Sequence, residues 1–413
     1  MGPSILKTNR KMSKTQQKIK VDITIIGGGI AGLWLLNYLR AQGYNAILFE
    51  QEALGSGQTI ASQGIIHGGM KYTLGGTLTG SSEAIAEMPN HWRSCLAGQG
   101  DVNLSRAKIL SDQIYFWSHA GFGSKLMTFF ASQAIRGRIT AVTKPDYPPV
   151  FQNDSFNGKL YRLQDIVVDM PSVLQALTEN YQKAIFKIDW QQAQLTQADD
   201  GQVKALQIHH QEKTLVIQSQ RFIFTAGEGN ETLLQQLSLT QPAMQRRPLH
   251  QVWFKHDYPH ALYAHCIGNS ALPRLTLSSH ATFGGKWIWY LGGELATKGI
   301  EQSESELITK AKQELKKLFS WIDFGETQWG CLRINRAEPK QRASMLLPDK
   351  AYVAASDKVK NVIIAWPTKL TLSPNLAHEV GALLQKQQIN PKYPGLNELT
   401  NLPHPPIAKP FWE

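Results

Sequence analysis

The first strong pattern of hydrophobic and polar positions in the chain is a strand, a glycine-rich turn, a helix and a second strand. Residues 21–26 (VDITII) are rich in β-branched side chains, which favours a short buried strand. Residues 33–40 (LWLLNYLR) have helical character, and Gly43 follows them as a stop signal. NAILFE then predicts a second strand that ends at Glu50. This order is typical of the first unit of an α/β domain.

Three glycines separate the first strand from the helix. They are Gly27, Gly29 and Gly32 of GGGIAG, at G-x-G-x-x-G spacing. Gly27 permits the tight turn, Gly29 lets a pyrophosphate approach the backbone, and Gly32 brings helix and strand close together. The helix N-terminus attracts phosphates, and Glu50 can accept hydrogen bonds from the ribose hydroxyls of an adenosine. The pattern predicts a dinucleotide site, with a glycine turn in an ordinary α/β domain as the alternative.

Two later segments repeat the strand–turn–helix pattern. FIFTAG, residues 222–227, ends a hydrophobic strand on small residues, and EGNETLLQQL resembles the start of a helix. Near the end of the chain, NVIIA at 361–365 predicts another strand. Pro374 then fits the first turn of a helix that continues over residues 376–384.

Composition narrows the class of protein. A chain of 413 residues with 42% hydrophobic content can form two or three packed units. It has no apolar run of about 18 residues and no apolar signal-peptide segment, so we expect a cytoplasmic protein. Cys95, Cys266 and Cys331 are scattered, which suits a reducing compartment. Because neither the cysteines nor the histidines show metal-ligand spacing, we expect no metal site.

The positive charge is concentrated at the N-terminus. The net charge is +11, and residues 1–20 contain six Lys or Arg and no acidic residue. We predict that residues 1–20 form a disordered basic tail. The more specific alternative is that this basic segment contacts an anionic partner, either membrane lipid or RNA. Lipid contact would place the protein at the inner membrane surface.

A longer run of residues resembles a known family. GSGQTIASQGIIHGG, residues 55–69, follows the acidic strand and is rich in glycine and serine. Together with GGGIAG and FE it resembles the FAD-dependent D-amino-acid-oxidase-type superfamily. IHGGMKY, residues 66–72, is most similar to the FAD-dependent glycerol-3-phosphate dehydrogenases. TKLT at 368–371 resembles their Gly-Gly-Lys-Leu-Thr-Thr segment, from which this chain departs at Trp366-Pro367 and at Leu372.

The resemblance implies FAD as the cofactor and an α/β fold with two domains. A discontinuous Rossmann-like FAD-binding domain is expected from residues 21–80, 155–245 and 345–413. An inserted α+β substrate domain, built on a mostly antiparallel sheet, is expected from residues 81–154 and 246–344. Its strand-like runs are rich in Trp, Tyr and His, which suits a wall that shields the reacting carbon from water.

The same resemblance implies a set of FAD contacts in the glycine loop, the acidic strand, the stretch beside the flavin and two later turns. The predicted cofactor-binding residues are Gly27, Gly29, Ile30, Ala31, Gly32, Glu50, Gln51, Ser62, Gln63, Gly64, His67, Gly68, Ala226, Gly227, Lys369, Leu370 and Thr371.

Candidates for substrate binding lie in the basic segment LRINRAEPKQR, which contains Arg333, Arg336 and Arg342. In the resembling family, arginines of this region bind carboxylate or phosphate groups, and a guanidinium suits either anion. We take Arg333 as the first candidate. An ion pair between Arg333 and Glu338 or Asp323 is the structural alternative.

His67 and Lys369 complete the predicted catalytic set. The resemblance implies that His67 runs beside the flavin, where it could contact the ring, take a proton from the substrate or carry a covalent flavin link. A structural turn histidine is the fourth reading. Lys369 could support charge on the reduced flavin, hold an anionic substrate or form a surface salt bridge. Lys71 and Tyr72 are weaker candidates.

The leading hypothesis is an FAD-dependent oxidoreductase that oxidises a small anionic hydroxy compound of the glycerol 3-phosphate or 2-hydroxy acid type. The first alternative is an amine oxidase of the same superfamily, including one that acts on a modified tRNA nucleoside. The second is a flavin-binding module without catalysis, which the aromatic insert and the arginine cluster disfavour. The electron acceptor stays open between oxygen, a quinone and a partner protein.

Overall fold

The computed structural model of the chain describes residues 15–68, 85–118, 139–268, 270, 272–340, 350–395, 399 and 401–413. Within these residues the strands are β1 Thr15–Ile26, β2 Ala46–Glu50, β3 Ile65–Ile66, β4 Ile109–Ser111, β5 Ile114–Ser118, β6 Ile139–Ala141, β7 Lys159–Leu163, β8 Ile166–Val168, β9 Ile185–Lys187, β10 Ala193–Gln197, β11 Val203–His210, β12 Lys213–Phe224, β13 Met244–His256, β14 Ala264–Cys266, β15 Leu275–Ala281, β16 Trp287–Gly292, β17 Gln328–Pro339, β18 Tyr352–Ala355 and β19 Val362–Trp366. The α-helices are α1 Ile30–Ala41, α2 Met88–Leu96, α3 Met170–Asn180, α4 Asn230–Gln236, α5 Glu294–Lys298, α6 Glu304–Leu318 and α7 Ser373–Lys386. None of these helices is both long enough and apolar enough to cross a membrane.

The first sheet combines strands from distant parts of the chain. Its order is β10–β11–β12–β1–β2–β9, with β19 paired to β12 and β18 paired to β19. β1 is parallel to β2 and β12, and β12 is parallel to β19. The carboxyl ends of these strands therefore meet at one edge of the sheet, where α/β proteins bind ligands.

The central strands of this sheet are buried on both faces. Successive side chains of a strand point to opposite faces, so each strand contributes to two cores. Ile23, Ile25 and Leu48 pack in one core with apolar residues of α1, α3 and α7. Phe49 and Phe224 pack in a second core on the other face. Continuous apolar strands such as AILFE are the consequence of this two-sided burial.

The second sheet is mainly antiparallel, in the order β17–β13–β16–β15–β14–β5–β7–β6. Only β14 and β5 pair in parallel among its described strands. Helix α6 packs on it through Leu307, Ala311 and Leu315, which lie four residues apart on one face of the helix. A small third sheet, β3–β8–β4, also forms.

The predicted mixed α/β fold is confirmed, and two segments lie differently from the expected domain bounds. β1 begins at Thr15, six residues before the expected start, and residues 15–20 pair with Lys213–Gln218. That part of the predicted tail is therefore strand rather than disordered chain, and residues 1–14 lie outside the described part. β7 pairs with β5 in the second sheet, although residues from 155 onward were expected in the FAD-binding domain.

The C-terminal segment ties the first sheet to the second. Leu54 accepts a hydrogen bond from the Ala408 N–H at 2.9 Å and donates one to Pro406 at 2.8 Å. The Phe411 and Trp412 rings then pack against Tyr290 of β16, with centroid distances of 5.0 and 5.7 Å. The last residues therefore touch both halves of the molecule.

His256 is a fully buried histidine at the end of β13. Its ring lies 5.0 Å from Phe254, 5.3 Å from Trp289 and 5.4 Å from Phe324 between centroids. Neither ring nitrogen has a hydrogen-bond partner among the described residues. Desolvation lowers the pKa of His256 to about 4, and the nearby Asp257 charge opposes this shift only in part.

We expect acidification to destabilise the protein through His256. The unfolded chain binds a proton near pH 6.5 and the folded chain only near pH 4, so this contribution to stability is lost as the pH falls through that window. In urea unfolding with saturating FAD, a His256→Phe variant should gain stability relative to wild type progressively below pH 6.5. Above that pH the difference should be constant.

A His260→Phe variant, which replaces an exposed neighbouring histidine, serves as the control. A difference between His256→Phe and wild type that does not change between pH 7 and pH 4.5 contradicts this prediction.

Candidate active site

A cleft of about 1360 Å³ lies between the first and second sheets. One side consists of the glycine loop and the residues that follow β2, β12 and β19. The other side consists of β13, β17 and the end of β16. Pockets for drug-sized ligands span about 300–1,000 Å³, so this cleft can hold a dinucleotide together with a small substrate.

The glycine loop is folded so tightly that no side chain would fit at Gly27 or Gly32. Gly27 has φ +112°, and a Cβ there would lie 2.5 Å from Ala226 Cα. A Cβ on Gly32 would lie only 1.9 Å from the Gly27 carbonyl oxygen. Helix α1 therefore begins directly against the end of β1, and Gly29 and Ile30 line the cleft at its N-terminus.

Glu50 fixes the loop from the neighbouring strand. Its carboxylate accepts hydrogen bonds from the backbone N–H of Gly28 at 2.6 Å and of Glu52 at 2.9 Å. The side chain is buried and lines the cleft. Bonds from N–H groups to a carboxylate are stronger than neutral ones, so Glu50 sets the distance between the glycine loop and the turn after β2.

The turns after β12 and β19 are joined to each other. Asn230 accepts a hydrogen bond from the Ala226 N–H at 2.8 Å and donates one to the Ala365 carbonyl at 3.3 Å. The Trp366 indole donates to the Gly227 carbonyl at 2.9 Å. Ala226, Gly227 and Trp366 all border the cleft, so two distant segments form one continuous wall.

His67 lies in this wall beside the turn that precedes α7. Its backbone N–H donates to Thr371 Oγ1 at 3.2 Å, and the Trp92 indole donates to the Thr371 carbonyl at 3.1 Å. The imidazole is buried and lines the cleft. Thr368 has φ +60°, a conformation that costs a non-glycine residue about 1–3 kcal/mol and is found mainly at functional sites.

Two arginines face the cleft from the second sheet. Arg247 of β13 stands directly opposite Arg336 of β17 in the antiparallel register. Arg336 Nε donates to the Arg247 carbonyl at 3.2 Å, and Arg247 forms an ion pair with buried Glu338 at 3.4 Å. Like charges directly opposite each other are unfavourable, and Glu338 offsets the charge of one of the two arginines.

Arg333, our first candidate, does not line the cleft. Its guanidinium donates to the carbonyls of Ile300 at 2.7 Å and Gln302 at 2.6 Å, on the exposed side of β17. It forms neither of the ion pairs named as alternatives. Because side chains alternate along a strand, Arg333 and Arg336 point to opposite faces.

Most of the predicted cofactor residues are brought together along the cleft. Those that line it are Gly27, Gly29, Ile30, Ala31, Glu50, Gln51, Ser62, Gln63, Gly64, His67, Ala226, Gly227, Lys369, Leu370 and Thr371. Gly32 packs behind the loop, and the Gly68 N–H donates to Asp165 at 3.0 Å. Lys71, Tyr72 and Arg342 lie outside the described residues.

Comparison with known families covers most of the chain. Residues 22–366 match the DAO family, described as FAD dependent oxidoreductase. This chain belongs to that family. It is therefore an FAD-dependent oxidoreductase.

Individual relatives agree with this result. The chain is 44% identical over 399 residues to a probable FAD-dependent oxidoreductase, PA4991, of Pseudomonas aeruginosa, covering 96% of this chain and 98% of the relative. The crystal structure of that relative superposes with a TM-score of 0.82, at 40% identity over 96% of this chain and 98% of the other.

More distant solved structures share the fold. Glycine oxidase of Geobacillus kaustophilus gives a TM-score of 0.63 at 13% identity, covering 93% of this chain and 98% of the other. An L-α-glycerophosphate oxidase of Mycoplasma pneumoniae with FAD bound gives 0.60 at 13% identity, covering 92% and 99%. Likeness at this identity shows the fold alone, so the predicted closeness to glycerol-3-phosphate dehydrogenases stays a prediction.

The residues of the cleft fit FAD. The glycine loop offers backbone without Cβ atoms at a helix N-terminus, which is the form of a pyrophosphate site. Glu50 lies in the same cleft at the end of the adjacent parallel strand, the usual position of a ribose ligand. His67, Lys369 and Thr371 line the same cleft from the turns beside β3 and α7, where the isoalloxazine is expected.

We expect Glu50→Gln to weaken FAD binding about 10- to 100-fold, since charge-assisted hydrogen bonds are worth about 1.5–3 kcal/mol. The amide has about the same volume but loses the negative charge that holds Gly28 and Glu52. Titration of the FAD-free protein with FAD, followed by flavin fluorescence, measures the change. Glu179→Gln, which breaks an exposed ion pair with Arg106, is the control and should bind FAD like wild type. Equal affinities in all three proteins would contradict the role of Glu50.

Proposed function

We propose that this oxidoreductase oxidises a small anionic hydroxy compound, of the glycerol 3-phosphate or 2-hydroxy acid type. The opposed arginines Arg247 and Arg336 in the cleft wall are the observation that carries this proposal. Bound FAD would accept a hydride from the substrate carbon. The side chains of this chain would bind the anion, orient the carbon and take the hydroxyl proton.

The arginine pair suits a carboxylate or a phosphate. Each guanidinium presents a planar set of N–H donors that matches two oxygens of either anion. Arg247 forms an ion pair with Glu338, and Arg336 Nε donates a hydrogen bond to the Arg247 carbonyl. These contacts restrict the orientation of both side chains in the wall. An anion between them would also relieve the repulsion of two like charges.

His67 is the proposed base. Oxidation of a C–OH group requires removal of the hydroxyl proton, and histidine is the side chain best suited to that task near neutral pH. Its backbone is held by Thr371, which itself is held by Trp92. This double support would keep the imidazole in one place while a substrate binds.

Oxidation of an amine is the second candidate, and the wall charges give a specific reason to keep it. Glu228 and Glu338 border the cleft close to Arg246 and Arg247. A wall with cations and carboxylates side by side suits an amino acid, which carries both charges. A neutral amine has no hydroxyl proton, so its oxidation by flavin would not need a base such as the one proposed for the hydroxy compound.

An anaerobic flavin-reduction screen tests the proposal. The enzyme with FAD is mixed with glycerol 3-phosphate, 2-hydroxy acids, amino acids or undermodified tRNA, and the loss of flavin absorbance is recorded. Reduction by anionic hydroxy compounds alone supports the proposal. Reduction by amino acids or by tRNA alone overturns it in favour of C–N chemistry. Admission of oxygen after reduction tests oxygen as the acceptor.

We expect Arg336→Ala to raise the KM of the anionic substrate about 10- to 100-fold, because charge-assisted hydrogen bonds are worth about 1.5–3 kcal/mol. Arg333→Ala is the matched control on the same strand, since its guanidinium lies outside the cleft and binds backbone carbonyls. Its KM should stay near wild type. An equal rise in both variants would show that the effect is not due to the cleft.

We expect His67→Ala to retain FAD while flavin reduction slows about 10²- to 10⁴-fold, the usual contribution of a general base. Rapid-mixing measurement of flavin absorbance gives the rate, and the FAD content of the purified variant is the control. Loss of FAD in proportion to activity would instead assign His67 to cofactor binding. Unchanged reduction would rule out both roles.

A further inference from the structure

Four side chains with metal-binding atoms meet between two helices, away from the cleft. His91 and Cys95 lie on α2, four residues apart and therefore on one face of that helix. Asp101 follows in the loop after α2, and His378 approaches from α7. None of the four borders the cleft.

Asp101 is the centre of this cluster. One of its carboxylate oxygens lies 2.9 Å from His91 Nε2 and 3.5 Å from Cys95 Sγ. The other lies 2.5 Å from His378 Nε2. The donor atoms of His91, Cys95 and Asp101 all lie within 4.8 Å of one another.

We propose that His91, Cys95, Asp101 and His378 bind one divalent transition-metal ion, for which Zn²⁺ is the best match. Imidazole nitrogen, thiolate sulfur and carboxylate oxygen are the ligands of protein zinc sites, and four protein ligands without an open position make a structural site. The cluster differs from an acidic calcium or magnesium site, because it offers one carboxylate against three nitrogen or sulfur donors.

The separations of His91 and Cys95 from Asp101 suit a tetrahedral ion. Bonds of about 2.0–2.3 Å around Zn²⁺ separate neighbouring ligand atoms by about 3.3–3.8 Å. The separations of 2.9 and 3.5 Å around Asp101 need to change only by a few tenths of an ångström. The imidazole of His378 has to move closer, because it lies outside the group of donor atoms that are within 4.8 Å of one another. Entry is open as well, since the side chains of His91, Asp101 and His378 are 23, 20 and 42% exposed.

Loading of the site is an exchange of protons for metal without any redox step. Before loading, the Nε2–H groups of His91 and His378 donate hydrogen bonds to the Asp101 carboxylate, and Cys95 is a buried thiol. On binding, each imidazole presents its Nε2 lone pair with its hydrogen on Nδ1, and the thiol releases its proton to solvent. The hydrogen-bonded cluster thus becomes the ligand set.

The ion would join α2 to α7 behind the cleft. Trp92, the neighbour of His91, donates to the Thr371 carbonyl, and Thr371 in turn supports the His67 backbone. Because the ligands come from both helices, the metal would stabilise their packing and hold this support. Its role is structural and separate from the proposed oxidation.

Metal binding to the intact FAD enzyme tests the site. Untagged protein is treated with a chelator, dialysed against Zn²⁺ and analysed for bound metal by mass spectrometry. X-ray absorption at the zinc edge then reports the ligands. We expect one ion per chain, with one sulfur at about 2.3 Å and nitrogen or oxygen at about 2.0–2.1 Å. Absence of stoichiometric zinc, or zinc without a sulfur ligand, overturns the proposal.

Variants identify the ligands. His378→Ala removes the most exposed ligand and should weaken zinc binding by more than about 10-fold, since loss of even an outer-shell partner costs about 10- to 100-fold. Cys95→Ala should remove the sulfur signal. His260→Ala, which replaces an exposed histidine between β13 and β14, is the control and should bind zinc like wild type.

FAD content, measured on the same samples, shows that each variant is folded. Because Cys95 is fully buried and its substitution risks unfolding, His378→Ala keeps the test decisive. Unchanged zinc affinity in His378→Ala overturns the four-ligand site, whatever the outcome of the substrate screen.

Discussion

The contact between Gly32 and Gly27 is the constraint on which the rest of the molecule depends. No side chain fits between the first turn of α1 and the end of β1, since a Cβ on Gly32 would meet the Gly27 carbonyl at 1.9 Å. This close approach directs the helix N-terminus at the cleft. It also leaves the loop backbone open to the phosphates of a dinucleotide. Glu50 and Ala226 then hold the loop from the two neighbouring strands.

The cleft follows from the different construction of the two sheets. Parallel strands bring their carboxyl ends to one edge, so residues far apart in the chain supply the FAD side. Antiparallel strands set side chains directly opposite one another, so β13 and β17 can present two arginines as a pair. The first arrangement suits a long cofactor that follows the backbone. The second suits a small anion that is recognised by side chains.

The parts of the site that depend on local geometry could be predicted from the sequence. The glycine loop, Glu50 and the Ala226-Gly227 turn each occupy a few consecutive residues whose order has a direct steric meaning. The choice between Arg333 and Arg336 could not be made in this way. It depends on the phase of a twelve-residue strand, and a shift of one residue reverses every side chain.

Other features depend on contacts between distant residues. The strand β1 extends back to Thr15 because residues 15–20 pair with β12, whereas their lysines alone suggest a solvated tail. The cluster around Asp101 was equally hidden, since His378 stands 277 positions from Asp101 and no ligand spacing connects them. The same holds for Arg247, which becomes a candidate only through its register with Arg336.

The order of strands in the first sheet has a consequence for synthesis of the chain. The glycine loop is made about 200 residues before Ala226, against which it packs. At about 5–20 residues per second, the ribosome needs about 10–40 s to cover that distance. β19 and the C-terminal segment arrive later still. The edge of β1 that later meets β12 must therefore wait unpaired, and the nascent chain is open to aggregation or to chaperones until that partner emerges.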